Sequence, residues 1–362
     1  MRTHNTGNIT IEYPDAISFA FNPTVVNVYG ENVTKAEIEV TDSSGKVYTE
    51  KREIFKNNVF FDISQYIQCS FGAVNEIKVP YSVQASDSGL GMNFTCAVTV
   101  YSASSVLVDS FSFSTFAIWG AMRVGERFNG SRNLTWFKNY PFSVGMYAAS
   151  SGSVQVKADG VVKSSIQLSK QAMWNVFPYG ITANDSIEFY LPGSGTAASV
   201  FDHTFDYTFK GLLNTPVNIV CKVDDSDCGV YLRWIGRHGM YCYWLFQSGD
   251  ETRQVVNDGE FLRNNMEDYS YKNGYHGGTG RKQRKTENDT LPVCAPLVDS
   301  DTWDFLFELV TSPVVDMFAG YDGETPQWKG VNVSVENFVK TKESLQDFVC
   351  TIILPELNLQ SL

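Results

Sequence analysis

The chain has 362 residues, of which 43% are hydrophobic and 19% charged, and a formal net charge of −12. That balance sustains a packed core and excludes global disorder. The acidic surplus excludes bulk nucleic-acid binding, which needs a basic footprint.

At roughly 100–200 residues per domain, two or three domains are expected. An aromatic content of 14%, with 25 Phe and 18 Tyr, favours β structure, because aromatics suit pleated, half-buried surfaces. No run of about 20 apolar residues occurs, so no membrane span is expected. The polar start from Met1 to Asn5 lacks the apolar core of a signal peptide. Seven scattered cysteines fit reduced thiols in a chain made in the cytoplasm. Without a signal peptide, the eight Asn-x-Ser/Thr sites reflect composition rather than glycosylation.

Residues 8–118 read as short strands separated by turns. Strands are predicted at residues 16–21, 25–29, 36–40, 47–49, 59–63, 94–101 and 105–108, with a short helical turn at 64–68. Regular spacing and turn signals suggest a β-sandwich of immunoglobulin or related type, residues 1–117. Residues 116–146 mix glycine, proline and aromatics, including Trp119 and Trp136, and read as a domain junction. A second β-rich domain is expected over 118–215, with turns at 157–160 and 192–195.

The third region, 216–362, opens with two aromatic runs, from Tyr231 to Ile235 and from Tyr241 to Phe246. They flank Gly236-Arg237-His238-Gly239, so a β-hairpin is predicted with His238 as an exposed turn residue. Alternation puts Val230, Leu232 and Trp234 on one face and Tyr231, Arg233 and Ile235 on the other. On the return strand, Cys242, Trp244 and Phe246 oppose Tyr241, Tyr243 and Leu245. Both faces are apolar, so both must meet protein, in a core or at a subunit seam. The expected packing residues are Tyr231, Trp234, Tyr241, Tyr243, Trp244 and Phe246, with Trp119 and Trp136.

The polar stretch 249–280 then leads into the basic run Arg281-Lys282-Gln283-Arg284-Lys285. The glycine-rich segment 272–285 reads as a solvated loop, or as a contact for an acidic partner in the same assembly. One helix is predicted from Asp299 through Trp303, Phe305, Leu306 and Leu309, ending at Ser312-Pro313. Two strands follow, at 331–335 and 348–355.

Chemical motifs are absent. The four histidines show no ligand spacing and no Cys-x-x-Cys pair exists. Asp224-Asp225-Ser226-Asp227 lacks the spaced ligands of a calcium loop and reads as a solvated turn. The segment 274–282 fails the phosphate-loop pattern, and no Gly-x-Ser-x-Gly elbow occurs. Neither catalysis nor a cofactor is expected.

Four blocks taken in order carry a resemblance: Phe19 to Pro23, Ile118-Trp119-Gly120 through Pro141-Phe142, the aromatic runs from Tyr231 to Phe246, and Leu309 to Val315. Together they resemble structural tail or tail-tip proteins, of the distal-tail kind, of tailed phages and prophages of gut Bacteroidales. The resemblance spans Phe19 to Pro355. It implies a virion protein made in the host bacterial cytoplasm, a homo-oligomeric ring, often a hexamer, and contacts with other tail proteins. It supplies no catalytic residues. The competing expectation is a carbohydrate-binding or adhesive β-sandwich protein, whose exposed Trp and Tyr stack on sugars of a host surface glycan.

Overall fold

The computed structural model describes residues 1–72, 79–121, 134–148, 152–191, 197–198, 217–261, 271–272, 281–334 and 337–355. The turn expected at 192–195, the glycine-rich stretch 274–280 and Val335 lie outside them. The fold is mainly β, with two short helices among the described residues.

The first unit holds β1 (Arg2–Thr6), β2 (Ile9–Tyr13), β3 (Ile17–Phe19), β4 (Val25–Gly30), β5 (Val33–Asp42), β6 (Val47–Glu53), β7 (Asn58–Asp62), α1 (Ser64–Ser70), β8 (Ala85–Asp87), β9 (Gly91–Ser102) and β10 (Leu107–Ile118). Two of its sheets, ordered β1-β2-β4-β7 and β3-β10-β9-β5-β6, form a sandwich. Burial alternates along β5 and β9, as period-two strands with one solvated face require. Ile11, Val28, Ile38, Phe61 and Phe94 fill the space between the sheets. The helical turn expected at 64–68 is α1, anchored where Asp62 Oδ1 accepts the Ser64 N–H at 3.0 Å.

The second unit holds β11 (Thr135–Phe137), β12 (Val144–Ala148), β13 (Gly152–Ala158), β14 (Val161–Leu168), β15 (Ala172–Val176), β16 (Ser186–Leu191), β17 (Ala197–Ala198) and β18 (Val217–Asp224). Its sheets run β11-β18-β16-β13-β14 and β17-β12-β15-β8. Two strands cross the expected boundaries. β8 leaves the first unit to pair with β15. β18, beyond residue 215, pairs antiparallel to β16 and parallel to β11, so this unit reaches Asp224. The turn that follows exposes Asp225, Ser226 and Asp227.

The third unit holds β19 (Val230–Ile235), β20 (Tyr241–Ser248), β21 (Thr252–Phe261), β22 (Arg281–Val298), α2 (Ser300–Thr311), β23 (Val315–Asp322), β24 (Thr325–Gly330), β25 (Asn332–Val333) and β26 (Gln346–Ile353). One sheet runs β24-β23-β19-β20-β22-β26-β25, with β21 added along β22. The basic run 281–285, expected in a loop, is the start of β22. Its register sets Lys282 opposite Glu260 and Arg284 opposite Asp258. Helix α2 starts where Asp299 accepts the Thr302 N–H at 2.7 Å and buries Trp303, Phe305, Leu306 and Leu309.

The second and third units share one continuous core, which also takes in Phe19, Phe116 and Trp119 at the end of the first. The hairpin turn makes this junction. The Arg237 carbonyl accepts the Ala121 N–H at 2.8 Å, while the Phe21 N–H donates to Gly120 at 3.0 Å. Glycine is required on both sides of the contact. A Cβ on Gly120 would stand 2.3 Å from the Arg237 carbonyl oxygen, and one on Gly239 2.4 Å from Ile118 Cγ2. Gly239 also has φ +72°, a conformation that costs any side chain. Gly239→Ala is therefore expected to lower stability by about 2–3 kcal/mol, read as an earlier urea midpoint at unchanged m-value.

Candidate functional site

All six residues of β19 are buried, and of the six from Tyr241 to Phe246 in β20 only Trp244 is partly exposed. One face meets α2 and the strand beyond it: Trp234 lies 5.3 Å from Phe305, and Phe246 lies 6.3 Å from Phe348, between ring centroids. The other face meets the second unit and β24. Tyr231 stacks on Tyr140 at 4.4 Å and lies 6.1 Å from Trp328. Trp119 and Trp136 are buried in the same core. The residues singled out for packing thus gather inside one protomer, with all their rings except that of Trp244 buried by this chain.

The second face carries a polar cluster. Arg233, 7% exposed, donates through Nε to Asp316 Oδ2 at 2.8 Å and through a terminal nitrogen to the Tyr81 hydroxyl at 3.1 Å. The Tyr81 and Tyr243 hydroxyls are 3.1 Å apart, and Ser143 Oγ lies 2.8 Å from the latter. The guanidinium also lies 4.2 Å over the Trp328 ring. Burial alone would depress the Arg233 pKa, but the oxygens of Tyr81, Tyr243 and Asp316 outweigh it and the net shift is upward. Burial raises Tyr243 well above the usual phenol range and pushes Tyr241 up to about 12. These phenols stay protonated and the arginine stays charged, which describes a fixed network rather than an acid–base pair. An arginine inside an aromatic strand is the signal that a partner such as Asp316 must be buried with it. Neither Asp316 nor Tyr81 is marked by its own local sequence.

The turn corrects one expectation. His238 is fully buried, not exposed, because the turn is pressed onto residues 118–121. Burial, then the charge of Arg237, lowers its pKa to about 3. Glu308 of α2, also buried, lies 3.9 Å from His238 Nδ1 and accepts the Arg237 N–H at 3.1 Å. Beside this contact lies a largely apolar cavity of about 210 Å³, lined by Phe21, Trp119, Ile235, Glu308 and Pro313 among others.

Another groove, of about 240 Å³, opens where β11 and the 224–228 turn meet β20 and β22, with Trp244 in its wall. Among the described residues, no three His, Cys, Asp or Glu side chains are grouped to hold a metal ion. All seven cysteines are free thiols. No described helix is long and apolar enough to cross a membrane. No protein-family model matches the chain, and no curated protein is similar to it.

The buried histidine sets a pH dependence. With a folded pKa of about 3 against 6.5 unfolded, the unfolded state binds more protons in that window. Its contribution is complete above pH 6.5 and lost as pH falls towards 3. Unfolding free energy is expected to drop by up to about 1.4 kcal/mol per pH unit between about pH 6 and 4. In His238→Gln this part of the slope disappears, as denaturant melts across that range will show.

Proposed function

We propose that this chain is a structural subunit of a phage tail or tail tip, which assembles with copies of itself into a ring or hub joining the tail tube to host-binding parts. The observation that carries this reading is the arm formed by β21 and the first half of β22. The second half of β22 is held in the sheet by β20 and β26. From Arg281 to Asn288 it pairs only with β21 among the described residues, and at Asp289, whose carbonyl accepts the Leu354 N–H at 2.9 Å, it enters the sheet.

A two-stranded ribbon standing alone in water is marginally stable, and its unpaired edges are templates for strand addition. Val255 and Val256 are exposed on this ribbon, at 58% and 42%, and point to opposite faces as neighbours on a strand do. A second copy laid along an arm edge would satisfy its backbone groups and cover these side chains. The shared core of the second and third units supports the same reading, because a rigid block transmits load between neighbours. The resemblance to distal-tail proteins fits a closed ring, six-membered in the usual case, located in the virion tail.

Light scattering and negative-stain microscopy of the purified chain test this. Closed rings of one size are expected, and Val255→Lys combined with Val256→Glu should release monomers with unchanged circular dichroism. A strict monomer that is also missing from virions would refute the assignment.

A further inference from the structure

The groove beside Trp244 has the chemistry of a sugar site. Trp244 is the one residue in the apolar run of β20 that the core leaves partly uncovered. Phe137 of β11 stands edge-on to it, with centroids 5.7 Å apart and planes at 80°. The indole is therefore held in one orientation at the groove wall. Pro296 and the polar side chains of Asp224, Ser226 and Gln247 also line it. The Asp224 carboxylate is fixed by accepting the Ser226 N–H at 2.8 Å, and Ser226 and Gln247 are exposed.

A pyranose ring presents an apolar C–H face that stacks on an indole, and a rim of hydroxyls that pair with carboxylate, amide and hydroxyl groups. A carboxylate acceptor gives the stronger, charge-assisted kind of hydrogen bond. The volume, about 240 Å³, is below the ~300–1,000 Å³ of pockets for drug-sized ligands, which limits the occupant to one ring. Asp225 is paired with Lys138 at 3.6 Å, but Asp224 and Asp227 and the chain's net charge of −12 disfavour an anionic sugar.

We propose that this groove binds a single neutral pyranose ring, stacked on Trp244 with its hydroxyls turned to Asp224, Ser226 and Gln247. This binding does not depend on ring assembly and would hold in a monomer.

Saturation-transfer NMR on the full chain tests it, with methyl β-D-glucopyranoside, methyl β-D-galactopyranoside, methyl α-D-mannopyranoside and methyl β-D-glucuronide as probes and sorbitol as the acyclic control. Transfer is expected to the ring C–H protons of at least one neutral pyranoside, with less to the glucuronide and none to sorbitol. Calorimetry should show affinity falling about tenfold in Asp224→Asn and in Gln247→Ala. Gln247 is exposed, and asparagine keeps the shape of the half-buried Asp224 at the end of β18, so both variants leave circular dichroism unchanged. Trp244→Phe, which keeps an aromatic wall, should bind more weakly than the natural chain but still detectably. No transfer to any neutral pyranoside, or equal affinity in both polar variants, overturns the proposal.

Discussion

A hairpin with large side chains on both faces has to be covered twice, and this requirement organises much of the molecule. Each Phe, Tyr or Trp withdraws roughly 150–250 Å² from water, so neither face of β19 and β20 can be left to solvent. Helix α2 covers one face through Phe305, and Tyr140 with Trp328 covers the other. Because Tyr140 belongs to the second unit and Trp328 to the third, covering the hairpin fuses the two into one core. The turn then reaches the first unit through Gly120 and Gly239, where there is no room for a side chain.

Arg233 gives this packing a direction. A buried guanidinium is costly unless its donors are met. Here Asp316 on β23 and Tyr81, which lies between α1 and β8, meet them. Those partners come from well-separated parts of the sequence, so the network is complete only when the sheet and the preceding segment have docked. Apolar contacts alone tolerate several registers; a charge with fixed partners does not.

Local patterns were legible in the sequence, and long-range docking was not. Asp299 ahead of Trp303 and Phe305 marks α2, and the regular spacing of strand-like segments and turns marks 36–40 and 94–101, which lie in β5 and β9. The doubly apolar hairpin was evident from residue types alone. His238 was misplaced because a Gly-flanked polar turn looks solvated unless its docking surface at residues 118–121 is known. Arg281 to Lys285 resembled a loop because charge and glycine dominate that window; only the register against Asp258 and Glu260 reveals a strand. The Ala85–Asp87 strand was invisible for a similar reason, since three small or polar residues carry no period and pairing with β15 defines them. Of the groove, Trp244 and the Asp224 turn stand out in the sequence, but nothing local sets them together with Gln247; the junction between units does.

The hairpin and its covering elements set the rigid frame, while the β21–β22 arm and the Trp244 groove face outward from it. Hydrogen–deuterium exchange read by mass spectrometry measures the first of these directly. Amides of Tyr231 to Ile235 and Tyr241 to Phe246 should be among the slowest in the chain, exchanging only as the second and third units unfold together. Exchange of the hairpin ahead of β13 and β16 would contradict its role as the element on which both units depend.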